Sequence, residues 1–224
     1  MEKYAIIVAG GSGSRMRSEV PKQFLSLKGI PVLVHTLQAF QSAGEISVIL
    51  VLPESQIHVW MDIVARENFT FPHRIIAGGP TRFHSVKNGL AAIQNENALI
   101  AVHDGVRPLI TPATIRRCFE EAIEFGSAIT SVPLKDSIRR TDYDGSSFQI
   151  DREKFRLVQT PQVFRADWMR KAFENDYQFY FTDCASVLEY AGFKVHLTEG
   201  DYQNIKITTP EDLIVAEALL QSTI

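Results

Sequence analysis

The chain is 224 residues long, 45% hydrophobic and 22% charged. Those proportions exclude a disordered or fibrous chain, and the length fits one α/β domain over residues 1–224 better than two. Twenty-three Lys and Arg against 26 Asp and Glu leave a net charge of −3, which argues against a general nucleic-acid binder. The charge is uneven. Residues 1–30 carry Lys3, Arg15, Arg17, Lys22 and Lys28 against Glu2 and Glu19, a local +3 that leaves −6 for the rest. A cationic start on an acidic chain points to a local anion site.

The first predicted element is a strand, Tyr4–Ala9. Its apolar run is too short for a signal peptide, and no later stretch approaches the roughly 18 apolar residues of a membrane span. The expected protein is cytoplasmic, with no membrane partner. Pro31 opens a helix whose Val32, Leu33, Thr36, Leu37 and Phe40 are spaced for a buried face. Strands follow at Ile46–Leu52, Arg74–Ala77, Ala98–His103, Ala128–Pro133 and Lys194–Leu197, several of them apolar throughout, as in a parallel sheet covered on both faces. Thr111-Pro112 and Thr209-Pro210 each place a hydroxyl at an N-cap and proline at the first helical position, and Glu211 and Asp212 suit the dipole of the second helix. Strands alternating with helices predict a Rossmann-like, doubly wound, mostly parallel sheet.

The stretch at about 134–155 breaks that rhythm. Asp142-Tyr143-Asp144-Gly145 is a strong turn signal between Ser137–Arg140 and Ser147–Ile150, which predicts an inserted β-hairpin arm. A two-stranded ribbon alone is marginal in water, so it packs on something, either its own domain or a second copy of the chain. Cys118 and Cys184, far apart and without a Cys-x-x-Cys spacing, provide neither a disulfide framework nor a zinc signature.

The most informative segment is Ala9-Gly10-Gly11-Ser12-Gly13-Ser14-Arg15-Met16, directly after the first strand. Glycines let the backbone approach a ligand and aim successive N–H groups inward, an anion-binding arrangement, and strand ends are where open α/β sheets bind ligands. Neither standard phosphate fingerprint fits. Walker A needs Gly-Lys-Ser/Thr where Arg15 stands, and dinucleotide binding needs a small residue where Met16 stands. Lys22, in Pro21-Lys22-Gln23-Phe24, follows Arg15 closely enough for both cations to reach one polyphosphate.

This order of residues resembles the sugar-phosphate nucleotidyltransferases and, more narrowly, the cytidylyltransferases acting on 2-C-methyl-D-erythritol 4-phosphate. The resemblance continues through Gly78-Gly79-Pro80-Thr81-Arg82-Phe83-His84-Ser85, His103-Asp104-Gly105-Val106-Arg107-Pro108, Val132-Pro133-Leu134-Lys135-Asp136-Ser137-Ile138, Asp151-Arg152, Gln159-Thr160-Pro161-Gln162, Thr182-Asp183 and Asn204-Ile205-Lys206-Ile207-Thr208. It implies a nucleotide-diphospho-sugar transferase type of fold and transfer of CMP from CTP to a sugar-alcohol phosphate. Arg15 and Lys22 would serve the α-phosphate, and Gly10, Gly11, Ser12 and Gly13 the triphosphate. Cytosine and ribose would be held at Gly79, Arg82 and Ser85, with backbone near Ala9 and with Asp104. Arg107, Ser137, Arg152, Thr160 and Lys206, again with Asp104, would hold the sugar phosphate. Mg²⁺, or another divalent cation, is expected mainly through the CTP phosphates. The arm would reach a partner's site, so a homodimer is expected. Ser137 departs from the threonine usual in the family but keeps the hydroxyl.

Read without the resemblance, Asp104 suits a hydroxyl or a cation at the cleft mouth, or caps the following turn. The six histidines show no ligand spacing, and His103 reads as a hydrogen-bonded structural residue. Phe179-Tyr180-Phe181 reads as a core or interface cluster rather than a stacking platform for bases. A glycosyltransferase is the remoter alternative, since Asp142-x-Asp144 imitates a metal motif but lies in a hairpin turn. A non-catalytic nucleotide-binding regulator is disfavoured by the retained cations. The nearer alternative is ribitol 5-phosphate cytidylyltransferase.

Overall fold

The computed structural model describes residues 1–11, 14–16, 18 and 20–221. In chain order the elements are β1 (Glu2–Val8), 3-10 turns at Ser14–Met16 and Lys22–Phe24, β2 (Ser26–Leu27), β3 (Ile30–Pro31), α1 (Val32–Ser42), β4 (Ser47–Leu52), α2 (Glu54–Arg66), β5 (His73–Ala77), α3 (Arg82–Ala91), β6 (Ala98–Asp104), α4 (Pro112–Phe125), β7 (Ser127–Pro133), β8 (Ile138–Thr141), β9 (Ser147–Ile150), a 3-10 turn at Arg152–Lys154, β10 (Arg156–Arg165), α5 (Ala166–Phe173), α6 (Cys184–Tyr190), β11 (Leu197–Glu199) and α7 (Pro210–Gln221). Seven strands form the central sheet in the order β11-β7-β10-β6-β1-β4-β5. β1 pairs in parallel with β4 and β6, β4 with β5, and β7 with β11.

Because side chains alternate across a strand, each apolar strand feeds two cores. Ala5, Ile7, Leu50 and Ala101 face one side, against Leu37 and Phe40 of α1, Trp60 of α2 and Phe119 of α4. Ile6, Val51, Ile100 and Val102 face the other, against Val86 of α3, Met169 of α5 and Leu188 of α6. α4 shows why its boundaries were legible. Thr111 accepts a hydrogen bond from the Thr114 N–H at 3.1 Å, Pro112 occupies the first turn, and Gly126 closes the helix with φ +81°.

Two features differ from the sequence pattern. β10, ten residues long, was not foreseen; it lies antiparallel between β6 and β7. Pro161 sits in its middle and lacks the N–H that a central strand normally needs, and the register shifts between Val158 and Gln162 around the cis Thr160–Pro161 peptide. The last strand forms at Leu197–Glu199 rather than Lys194–Leu197, because there it meets Ile129–Ser131 of β7. The hairpin forms as expected, as a separate sheet with Ile138 opposite Ile150.

Candidate active site

The strand order reverses at β1, with β4 and β5 on one side and β6 on the other. At such a switch point the loops after the two strands diverge and leave a crevice. Val8 and Asp104 end the two strands as register partners. Beyond them the chains come close: the Gly105 N–H donates to the Val8 carbonyl at 2.9 Å, and a Cβ on Gly105 would lie 2.9 Å from that of Ala9. Only glycine allows this approach. The crevice is a cavity of about 200 Å³ lined by Ala9, Gly10, Gly11, Lys22, Gln23, Gly79, Arg82, Ser85, Asp104 and Lys206, among others. It thus gathers most of the predicted nucleotide residues. Ser12 and Gly13 lie outside the described residues.

Asp104 is the hub of the charges. Lys206 Nζ lies 3.0 Å from its Oδ2, Arg107 Nε 3.4 Å from the same oxygen, and Arg82 Nε 3.4 Å from Oδ1. Burial alone would raise the Asp104 carboxyl, but Arg82, Lys206 and Arg107 overcome it and hold the group well below the usual carboxylate range. Its role is therefore to anchor cations. Arg82 spends a second nitrogen on Cys184 Sγ at 3.4 Å, and Arg107 donates to the Asn204 carbonyl at 2.8 Å.

Lys22 is different. It is buried in the turn below the glycine segment, where a Cβ on Gly11 would lie 3.5 Å from its Cε and 3.8 Å from its Nζ. No carboxylate among the described residues pairs with it. Burial first, then the positive charges of Lys206 and Arg15, push its pKa below the ordinary lysine value. Like charges assembled this way repel one another, and a polyanion relieves them. Arg15 is exposed in the turn Ser14–Met16, outside the cavity wall but near enough for its charge to act on Lys22, while Met16 anchors that turn in a small core with Leu27, Val32 and Ile207.

The remaining predicted residues fall into two groups. Ser85 ties down the 78–80 turn, its hydroxyl accepting from the Gly79 N–H at 3.1 Å. Thr160 is buried behind Asp104, accepting the Asp104 N–H at 3.0 Å and lying 3.0 Å from His103 Nδ1. His103 Nε2 lies 3.4 Å from the Arg107 carbonyl, so the network assigns the ε tautomer, with the Thr160 hydroxyl donating to Nδ1. Ser137 and Arg152 do not line the cavity. Both are exposed at the arm, where Arg152 donates to the Lys135 carbonyl. Two buried amides that sequence reasoning did not select also shape the site. Gln23 bonds the Ala9 carbonyl, and Asn204 donates from Nδ2 to the Thr160 carbonyl at 2.8 Å, fixing the loop that carries Lys206. The only sequence signal for either is a polar residue set among apolar ones.

A doubly wound sheet with a glycine-walled, cation-lined crevice at its switch point suits an anionic ligand such as a nucleotide. Residues 4–222 match the family model described as IspD, 2-C-methyl-D-erythritol 4-phosphate cytidylyltransferase, and the chain belongs to that family. It is 48% identical over 221 residues to the 2-C-methyl-D-erythritol 4-phosphate cytidylyltransferase of Bacteroides fragilis, covering 98% of this chain and 100% of the relative. Against the enzyme of the same name from Porphyromonas gingivalis it is 45% identical, with 99% of each covered. The crystal structure of 4-diphosphocytidyl-2C-methyl-D-erythritol synthase from Anaerococcus prevotii superposes with a TM-score of 0.84 at 31% identity, covering 98% of this chain and 96% of that one. For the cytidylyltransferase of Thermus thermophilus the TM-score is 0.76 at 30% identity, covering 99% of this chain and 100% of that one.

Proposed function

We propose that the chain transfers CMP from CTP to 2-C-methyl-D-erythritol 4-phosphate, giving 4-diphosphocytidyl-2-C-methyl-D-erythritol and pyrophosphate. One observation carries the reading: Lys22, buried and without an ion pair among the described residues, has its ammonium under Gly11 and within the field of Lys206 and Arg15. A substrate phosphate oxygen attacks the α-phosphorus, a new P–O bond forms, and the bond to the bridging oxygen of the leaving pyrophosphate breaks. The nucleophile is already an anion, so the barrier is repulsion and charge crowding at phosphorus. Positioning and fixed cations lower it; a strong general base is unnecessary.

In this reading Lys22 and Arg15 stabilise the charge developing at the α-phosphate, and backbone N–H groups of the 10–13 segment hold the triphosphate. Asp104 keeps Arg82, Arg107 and Lys206 oriented, with Lys206 and Arg107 directed to the sugar phosphate. The chain's own residues do not form a metal cage: no cluster of three ligating side chains occurs among the described residues, and Asp104, the carboxylate on the cavity wall, already serves three cations. A divalent cation such as Mg²⁺ would arrive on the phosphates of CTP.

The chain reads as one nucleotidyltransferase domain with an arm inserted at about 134–155. Homodimerisation through that arm is supported by its exposed apolar side chains, Phe148 at 55% and Tyr143, beside Leu157 at 53% on the outer half of β10. Ser137 and Arg152 would then reach a partner's substrate site. The deciding experiment is pyrophosphate release from CTP, UTP, ATP and GTP, each with methylerythritol and ribitol phosphates. Release confined to CTP with the methylerythritol phosphate is expected; release only with ribitol phosphate would reassign the substrate, and none at all would remove the reaction.

A further inference from the structure

Gln23 is wholly buried beside Lys22 and yet lines the cavity. Its amide nitrogen donates to the Ala9 carbonyl at 2.8 Å and to Gln56 Oε1, in the first turn of α2, at 2.5 Å. The Ala9 carbonyl fixes this orientation, since a backbone oxygen cannot turn into a donor, and the Gln56 amide presents its oxygen to match. Its own Oε1 is buried with no hydrogen-bond partner among the described residues. An unpaired buried acceptor is costly, so packing supplies no reason for glutamine here; methionine would fill the same space without the penalty. What the amide secures is the position of one backbone carbonyl at the end of β1.

That carbonyl has a chemical consequence. Of the cavity's cations, Arg82 is held by Asp104 and Cys184 while Lys22 and Lys206 suit phosphates, whereas Val8, Ala9, Gly79 and Ser85 are neutral wall residues suited to a base. A carbonyl oxygen repels phosphate and attracts a donor. Cytosine presents a 4-amino donor where uracil presents a 4-oxo acceptor. The Ala9 oxygen has two lone pairs, of which Gln23 uses one. We propose that Gln23 is a specificity-determining residue: by pinning the Ala9 carbonyl as a fixed acceptor, it makes the site favour a 4-aminopyrimidine nucleotide over a 4-oxopyrimidine one. The inference rests on the cytidylyltransferase reaction proposed above.

The test is kcat/KM for CTP and for UTP, read by pyrophosphate release, in the unmodified enzyme and in Gln23→Met and Gln56→Leu. Gln23→Met lowers the CTP-over-UTP ratio by about tenfold or more, the scale of one desolvated hydrogen bond, chiefly through a higher KM for CTP. Gln56→Leu leaves the buried amide in place but releases its second N–H, and lowers the ratio several-fold; it carries the test alone if the first variant does not fold. Equal losses for both nucleotides, with the ratio unchanged in a folded variant, overturn the inference and leave Gln23 a packing residue. An unmodified enzyme that releases no pyrophosphate from either nucleotide overturns the reaction instead, and the two failures are distinct.

Discussion

The Thr160 hydroxyl lies 3.0 Å from Nδ1 of His103 and, through its oxygen, accepts the backbone N–H of Asp104 at 3.0 Å. One buried hydroxyl thus joins β10 to the end of β6 and fixes the carboxylate that anchors three cations. Replacing it with an isostere of the same shape, Thr160→Val, strands the Asp104 N–H and the His103 nitrogen. The expected cost is about 1–3 kcal/mol per unpaired group, read from urea unfolding, with a lower kcat/KM. Thr160→Ser, which keeps the hydroxyl, should recover most of both. A Thr160→Val enzyme as stable as the unmodified one would show that this chain of hydrogen bonds carries no weight.

His103 gives the fold a pH dependence of known sign. Burial, the largest effect, pushes its pKa down to about 3, so the folded state holds it neutral while the unfolded chain protonates it near the ordinary value. Because the unfolded state binds the extra proton, stability is full above about pH 6.5 and is lost as the pH falls toward 3. Between pH 7 and pH 5 the loss should be about 2 kcal/mol. Asp104 adds its own loss only at lower pH, below the unfolded carboxylate value, because its folded pKa is depressed. Unfolding curves at the two pH values, repeated on His103→Asn, should show the slope flatten in the variant.

Lys22→Met separates catalysis from stability. The substitution removes a charge stabilising the displacement, so kcat should fall by roughly 10²–10³-fold. The same charge is buried and repelled by Lys206 and Arg15, so losing it should leave the melting temperature equal or higher. A variant that lost both activity and stability would mean that Lys22 holds the fold rather than the phosphate. Arg15→Met should lower kcat in the same direction.

The arm makes a prediction about mass. If Phe148 and Leu157 meet a second copy, equilibrium sedimentation should give twice the chain mass, and Phe148→Asp should shift it toward the monomer. Arg152→Ala should leave the dimer intact and raise KM for the sugar phosphate rather than for CTP. A monomeric unmodified protein with full activity would rule out a site shared between subunits.

Much of this architecture was legible in the chain itself. Apolar runs of strand length reveal parallel strands because both faces are covered, and the Thr111 cap with Pro112, like Pro210 with Asp212 in the next turn, reveals a helix start because such effects are local. Gly10, Gly11, Lys22 and the His103-Asp104 strand end were likewise visible as candidates, since an apolar strand that gives way abruptly to glycine or charge is a local signal. β10 was not visible. Its identity as a strand depends on β6 and β7 flanking it, and Pro161 speaks against a strand to any local reading. Nor could sequence show that Asp104 gathers Arg82, Arg107 and Lys206, that Thr160 turns inward, or that Gln23 grips Ala9. Periodicity and capping act over a few residues, whereas a buried hydrogen bond pairs groups far apart in the chain, and only the folded structure brings those groups together.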